Sequence, residues 1–222
     1  KRNFTNMKVY FAPLEGITDE ILRNAYKKYY GNIEKYFTPF LSSKSIKNFT
    51  KRDSRLIGIN TFNVVPQILS KDAKETIDII NSLKEIGINE VNLNFGCPSL
   101  TVTKKNKGAG IFNDLAHLDS YLKEIFDKTD IKISIKTRLG INDISEFDKI
   151  LEIYKKYPIY ELIIHPRVGT EFYKGSVHLD SFEKAINSLP FKIVYNGDIS
   201  SKEDINYILN RFKKIDNDKH CQ

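Results

Sequence analysis

Val91-Asn92-Leu93-Asn94-Phe95-Gly96-Cys97-Pro98 is a short apolar run that ends in a glycine, a cysteine and a proline. Residues 91–94 have the length and apolar content of a buried strand, and the glycine and proline indicate a turn directly after it. Gly96 permits an unusual backbone angle, and Pro98 stiffens the turn. A thiol held there can be a nucleophile or a proton donor, whereas an isolated cysteine is more often a small buried hydrophobe.

Strand-like runs of this kind recur along the chain, and each is followed by a stretch with helical spacing. The predicted strands lie near residues 8–12, 36–38, 64–68, 91–94, 131–136, 161–165 and 192–196. The predicted helices lie near residues 18–29, 72–86, 115–126, 144–155, 182–188 and 202–213. Two helix starts match a capping box, Asp72-x-x-Glu75 and Ser200-x-x-Glu203. Strict alternation predicts an α/β fold with a parallel sheet and helices outside it.

Polar and turn-forming residues at the strand ends favour a closed barrel over an open, doubly wound sheet. A TIM barrel gathers functional groups from nearly every strand end, whereas a doubly wound sheet gathers them at one switch point. The strand-end residues are Pro13, Gln67, Asn94, Cys97, Lys136, Arg138, His165, Arg167, Asn196, Gly197 and Asp198. Seven strand–helix units are recognised and residues 213–222 lack strand character, so we expect an incomplete TIM (β/α)8-type barrel. In that setting we favour a functional Cys97.

Three of these strand ends carry further chemistry. Lys136 ends an alternating strand whose other face is isoleucine, so its ammonium would lie near the barrel mouth and suit an electron-rich or anionic group. His165 can donate a hydrogen bond to a ring carbonyl or nitrogen, and Arg167 can hold a phosphate or carboxylate. Asn196-Gly197-Asp198 precedes a capped helix and could bind phosphate, although Asn-Gly is also an ordinary turn signal.

The charge of the chain indicates a polyanionic partner. Its formal net charge is +7 and its pI is about 9.1, although a lysine-rich composition alone would produce the same values. Two loops concentrate basic residues on the face expected to hold the site, which favours a polyanionic substrate. These residues are Lys44, Lys47, Lys51, Arg52 and Arg55 in one loop and Lys104, Lys105 and Lys107 in the other.

The remaining composition predicts one domain of a cytoplasmic protein. Its 222 residues suffice for one sizeable core. Cys97 and Cys221 form no CxxC pair, which fits a reducing compartment, and the four histidines lack metal-ligand spacing. No apolar run approaches the ~20 residues of a membrane span, and no secretion signal is recognised. We therefore expect no metal and no membrane partner, and we favour a monomer.

Seven short motifs follow one another along residues 8–205. They are Ala12-Pro13-Leu14-Glu15-Gly16-Ile17-Thr18-Asp19, Pro66-Gln67-Ile68, Asn92-Leu93-Asn94-Phe95-Gly96-Cys97-Pro98, Lys107-Gly108-Ala109-Gly110, Ile135-Lys136-Thr137-Arg138-Leu139-Gly140, Ile164-His165-Pro166-Arg167 and Tyr195-Asn196-Gly197-Asp198-Ile199. In this order they resemble the tRNA-dihydrouridine synthase family. A single motif is weak, but the ordered set is highly specific.

The resemblance implies an FMN-bearing TIM barrel that reduces uridine to 5,6-dihydrouridine in tRNA, with NADPH as reductant. A hydride would pass from flavin N5 to C6 of uracil, and Cys97 would supply a proton to C5. The implied flavin contacts are Pro13, Leu14, Gln67, Lys136 and His165, with Asn196, Gly197 and Asp198 toward the ribityl phosphate. The implied substrate contacts are Asn94, Arg138, Arg167, Lys104 and Lys105.

The family continues into an eighth strand with a Gly-Arg phosphate motif and a C-terminal helical domain that holds tRNA. Neither is recognised in this sequence, so we expect an incomplete catalytic barrel over residues 1–214 and a polar tail over residues 215–222. Two other functions stay open: an FMN oxidoreductase acting on a free pyrimidine or small ene-carbonyl, and a truncated, inactive barrel that only binds RNA. The basic loops favour a tRNA substrate over a free small molecule.

Overall fold

Seven parallel strands form one sheet in the computed structural model, which describes residues 7–42, 57–58 and 63–212. The strands are β1 (Val9–Phe11), β2 (Ile33–Leu41), β3 (Val64–Ile68), β4 (Glu90–Phe95), β5 (Lys132–Thr137), β6 (Glu161–Ile164) and β7 (Lys192–Tyr195). They pair strictly in chain order from β1 to β7, and every pair is parallel. The sheet curls into an incomplete barrel, so the predicted fold class is confirmed.

Helices cover the outer face of the sheet. They are α1 (Glu20–Tyr30), α2 (Ala73–Glu85), α3 (Leu100–Thr103), α4 (Leu115–Lys128), α5 (Glu146–Tyr154), α6 (Leu179–Ser188) and α7 (Lys202–Phe212). Two 3-10 turns lie in the loops after β4 and β6, at Gly108–Asn113 and Gly169–Glu171. These turns and the short α3 were not predicted, because they are too brief to show a helical period.

One of the two predicted capping boxes is displaced by one residue. Asp72 caps α2 as predicted, and its side chain accepts a hydrogen bond from the N–H of Glu75 (2.8 Å). The other half of that box is replaced, because the N–H of Asp72 donates to the Ser70 hydroxyl (3.0 Å), which in turn donates to the Glu75 carboxylate (2.6 Å). At α7 the Ser201 hydroxyl accepts from the N–H of Asp204 (3.1 Å), and the Asp204 carboxylate accepts from the N–H of Ser201 (2.8 Å). Prediction of the box at Ser200 was wrong because Asp204, a good acceptor, lies one position beyond Glu203.

The main core lies between the sheet and the helices, and the barrel interior holds a second, smaller one. Ile133 and Ile135 pack in the main core, as the alternation in β5 predicted. The inner cluster consists of Phe37 on β2, Val65 on the adjacent β3 and Ile163 on β6. Tyr10 on β1 and Val194 on β7 pack against it, so these side chains form a small apolar layer inside the curled sheet.

Below that layer, at the N-terminal end of the strands, lies a buried ionic network. The Lys35 ammonium donates to the carboxylates of Glu90 (2.8 Å) and Glu161 (2.8 Å). Lys192 donates to Glu161 (2.7 Å) and to the hydroxyl of Tyr10 (2.7 Å). Within the described residues β1 and β7 share no backbone pairing. The hydrogen bond from Lys192 to Tyr10 therefore connects the two outermost strands through side chains. Sequence reasoning did not identify this network.

Some predictions fall on parts of the chain that the structure does not describe. The basic residues of the loop after β2 lie outside the described residues, as do the tail 215–222 and Cys221. In the described ranges no helix is long and apolar enough to cross a membrane. In the same ranges no group of three or more histidines, cysteines or carboxylates could hold a metal ion.

Candidate active site

Cys97 is held in its turn by the side chain at the end of β4. The Asn94 amide oxygen accepts hydrogen bonds from the backbone N–H groups of Gly96 (3.1 Å) and Cys97 (2.9 Å). Such a side-chain-to-backbone turn stabilises the change of direction after a strand. The Cys97 thiol is partly exposed and forms no disulfide. Asn94 therefore positions the Cys97 thiol at the barrel mouth.

The loop Lys107–Gly110 packs against this turn, which explains the glycine at position 108. The N–H of Ala109 donates to the carbonyl of Cys97 (3.0 Å). Gly108 has a φ of +57°, and a Cβ there would lie 2.6 Å from the Cys97 oxygen and 2.9 Å from the Cys97 Cβ. A side chain at Gly108 would therefore displace Cys97. Sequence reasoning quoted this motif without a role, although two glycines closely following the cysteine were the available signal.

A chain of buried amides lies beneath the turn and connects three strands. Asn94 Nδ2 donates to Gln67 Oε1 (2.8 Å), and Gln67 Nε2 donates to Asn92 Oδ1 (2.7 Å). Asn92 Nδ2 then donates to the hydroxyl of Ser134 (3.0 Å). Each of Gln67 and Asn94 uses one of its two amide protons in this chain, which leaves the other for a ligand. Asn92 and Ser134 were missed as members of the site.

Lys136 contributes a partly buried ammonium next to this amide chain. Its neighbours in the sheet are Asn94 in β4 and Ile163 in β6. Within the described part of the chain no side chain or carbonyl forms a hydrogen bond or ion pair with it. Burial lowers the pKa of Lys136 to about 8, Arg138 adds to the fall, and Cys97 opposes it. A desolvated cation without a counterion suits an anionic or electron-rich ligand.

His165 is a neutral hydrogen-bond donor at the end of β6. Arg167 Nη1 donates to His165 Nε2 (3.0 Å), so Nε2 is the acceptor and Nδ1 carries the proton. Burial, together with the positive charges of Arg138 and Lys136, lowers the pKa of His165 to about 3. The imidazole is therefore uncharged at neutral pH, and Nδ1–H can serve a ligand. The donor role considered from sequence stays a prediction.

The guanidinium of Arg167 donates all of its hydrogen bonds to other groups of the protein. Beyond His165, it donates twice to the Asp198 carboxylate and to the carbonyls of Lys174 (3.2 Å) and Gly175. These bonds use all five N–H groups of the guanidinium, and the residue is only 1% exposed. Arg167 therefore organises the loop after β6, and its role in binding substrate stays a prediction.

Arg138 connects the loops after β4 and β6. Its Nε donates to the carbonyl of Gly96 (3.0 Å), and its Nη1 donates to the carbonyl of Val168 (3.0 Å). The guanidinium carbon lies 5.3 Å from the ring centroid of Tyr173. The Tyr173 ring also lies 6.0 Å from that of His165 and is 69% exposed. Tyr173 is thus a rim residue that sequence reasoning missed, because its loop has no periodic pattern.

The other predicted contacts lie around the same mouth. Leu14 is 52% exposed in the loop after β1, directly after Pro13. The N–H of Asn196 donates to the carbonyl of Ile164 (2.9 Å), and a Cβ on Gly197 would lie 3.2 Å from His165 Cδ2. The turn after β7 therefore passes beside the imidazole. The flavin contacts of Pro13, Leu14, Asn196 and Gly197 stay predictions.

The start of α7 already holds an internal anion. The Asp204 carboxylate accepts from the N–H groups of Ser200 (2.9 Å) and Ser201 (2.8 Å). These bonds and those from the two serine hydroxyls lower the pKa of Asp204 to about 2. A phosphate at this end of the barrel would therefore bind closer to Gly197 than to the first turn of α7.

The sequence of the chain is similar to proteins of one family. The family model described as dihydrouridine synthase matches residues 10–213. The chain is 26% identical over 206 residues to tRNA-dihydrouridine synthase B of Vibrio vulnificus (strain CMCP6), covering 91% of this chain and 63% of the relative. It is 29% identical over 208 residues to a probable tRNA-dihydrouridine synthase of Helicobacter pylori (strain ATCC 700392 / 26695), covering 90% of this chain and 62% of the relative. The chain thus spans somewhat less than two thirds of these relatives.

Proposed function

The chain belongs to the dihydrouridine synthase family, and on that premise we propose that it reduces uridine to 5,6-dihydrouridine in tRNA, using a bound FMN. One observation carries the proposal. Lys136, a partly desolvated ammonium with no counterion among the described residues, interacts electrostatically with the Cys97 thiol that the protein holds at the barrel mouth. This pair supports a reaction in which one group meets an electron-rich ring and the other moves a proton.

The donors of the site fit a flavin. Lys136 suits the electron-rich edge of an isoalloxazine ring, and the neutral His165 offers Nδ1–H to a ring carbonyl or nitrogen. Gln67 retains one amide proton for the same purpose. Pro13 and Leu14 would line the ring, with Asn196, Gly197 and Asp198 toward the phosphate. When bound, FMN would supply the hydride that C6 of uracil accepts, and NADPH would reduce the flavin again.

The proton is the protein's own contribution to the reaction. Reduction of the C5–C6 double bond requires a hydride at C6 and a proton at C5, and Cys97 Sγ–H supplies the proton from the opposite face. The thiolate that remains is stabilised by the nearby positive charge of Lys136. Asn94 keeps the thiol in place, and its second amide proton is available to a uracil carbonyl.

Charge and exposure support RNA as the carrier of the uracil. Lys104 and Lys105 are exposed directly after α3, on the same face as Cys97, and the whole chain carries +7. Phosphate contacts from such residues provide affinity without reading sequence. The target base must leave its stack to reach the thiol, as in other base-modifying enzymes. We place the reaction in the cytoplasm.

The test is dihydrouridine formation in unmodified tRNA with FMN and NADPH. Cys97→Ala should keep the yellow, flavin-bound state but lose about 10²-fold or more of the rate, because the proton donor is gone. Ser99→Ala, in the same loop, should leave the rate unchanged. Reduction by Cys97→Ala at the wild-type rate would refute the proton-donor role. Efficient, salt-insensitive reduction of free uridine would instead indicate an enzyme for small molecules.

A further inference from the structure

Phe172 has a backbone conformation that is unusual for a bulky residue. It lies in the loop after β6 with φ of 53° and ψ of −100°. The other non-glycine residues with positive φ in the described ranges are small and polar, namely Asn32, Asn106 and Asp198. An aromatic side chain gains nothing locally from this conformation, which costs free energy. The surrounding structure must therefore enforce it.

The loop around Phe172 is fixed on both sides. The Glu171 carboxylate accepts from the N–H of Val168 (2.7 Å) and contacts His178 Nε2 (2.7 Å). The N–H of Phe172 donates to the carbonyl of Gly169 (3.1 Å), and that of Lys174 to the carbonyl of Glu171 (2.9 Å). Phe172 is therefore presented by a well-braced segment, and the residue is 38% exposed.

This segment borders the candidate active site. The next residue, Tyr173, contacts the guanidinium of Arg138 and the ring of His165. The carbonyls of Lys174 and Gly175 are held by Arg167. Phe172 thus lies one residue from groups that belong to the site and two residues from Lys174, which is exposed. An exposed aromatic side chain with a cationic side chain close by is the combination that binds single-stranded nucleic acid.

We propose that Phe172 is a stacking platform for an unpaired nucleobase next to the target uridine in RNA. The inference rests on the proposed function and extends it to a second nucleotide of the substrate. Pulling one base from its stack also exposes the neighbouring base, and an aromatic ring at the rim replaces the lost stacking partner. Phe172 accordingly positions substrate and takes no part in the chemistry.

The decisive variant is Phe172→Gly, because it separates stability from binding. Glycine accepts a positive φ without strain, and this relief offsets the greater freedom of glycine in the unfolded chain, so the thermal midpoint should stay close to the wild-type value. Loss of one base–aromatic stack should weaken RNA binding about 5- to 150-fold. Phe172→Trp should retain the affinity, whereas Phe172→Leu, which is apolar but cannot stack, should lose most of it.

The probes are fluorescein-labelled single-stranded RNAs of about ten nucleotides with one uridine, measured by fluorescence anisotropy. Matched RNAs carry an abasic site on one side of the uridine or on the other. Wild type and Phe172→Gly should bind one of the abasic RNAs equally, which would identify the stacked neighbour. Tyr29→Ala is the control, because Tyr29 is an exposed aromatic at the C-terminal end of α1, at the opposite end of the barrel.

Each remaining outcome decides the matter. Unchanged RNA affinity in Phe172→Gly would overturn the inference, and so would a lowered thermal midpoint, which would mark the ring as a packing element. Failure of the wild-type protein to bind either type of RNA would overturn it as well. RNA binding that depends on Phe172, without any formation of dihydrouridine, would leave the platform standing and refute the proposed reaction alone.

Discussion

The ammonium of Lys192 in β7 donates a 2.7 Å hydrogen bond to the hydroxyl of Tyr10 in β1. These residues lie in the first and last strands of the sheet, and the same hydroxyl donates to Glu161 in β6 (2.8 Å). Within the described residues the two strands share no backbone hydrogen bonds. Partly buried side chains therefore connect the two edges of the sheet at the end opposite the site, which makes the network a determinant of stability.

Glu161→Gln should destabilise the protein by about 3 kcal/mol, because it leaves the partly buried Lys192 without a carboxylate partner and Lys35 with Glu90 alone. Burial alone would raise the pKa of Glu161, but hydrogen bonds from Lys192 and Lys35 outweigh it and lower that pKa. Urea denaturation at neutral pH measures the loss. Glu34→Gln, at a half-exposed pair with Lys8, should cost no more than about 1 kcal/mol. Equal effects of the two variants would contradict the network's importance.

His165 should make the protein sensitive to mild acid. Its folded-state pKa of about 3 lies below the ordinary value of 6.5, so the unfolded chain binds the proton more readily. Stability should be complete above pH 6.5 and fall by up to about 1.4 kcal/mol per pH unit as the pH drops toward 3. Urea midpoints between pH 6.5 and 4.5 measure the slope. His165→Gln should flatten it, whereas His117→Gln, on α4, should not. A slope that survives His165→Gln would show that other groups cause it.

Lys136 should make flavin affinity fall at alkaline pH. The pKa of about 8 means that the ammonium loses its charge as the pH rises through 8, and with it the attraction for an electron-rich ring. Quenching of FMN fluorescence between pH 7 and 9 would report the affinity. Lys136→Met should bind weakly without this pH dependence, and Lys136→Arg should remain charged across the range. A flat profile for the wild-type protein would separate Lys136 from flavin binding.

Gly108→Ala should displace Cys97 and abolish most uridine reduction, because the new Cβ would lie 2.6 Å from the Cys97 carbonyl. Flavin binding should persist, since the change is on the loop that holds the thiol. The matched control is Gly87→Ala, which also has a positive φ but no atom within 4 Å of the added Cβ. Both variants share the backbone strain, so a larger loss of turnover at Gly108 isolates the steric effect. Dihydrouridine content and flavin absorbance measure the two properties.

Local patterns in the sequence determined the order of strands and helices, the turn at Cys97 and the strand-end positions of Lys136 and His165. These features follow from side-chain period and turn chemistry, which act over a few residues. The tertiary structure alone decided which strand-end groups pair. Strand register joins Asn94 to Lys136, and the fold of the loop after β6 commits every donor of Arg167. The curl of the sheet brings Tyr10 to Lys192 across 182 positions, a contact that no local period contains.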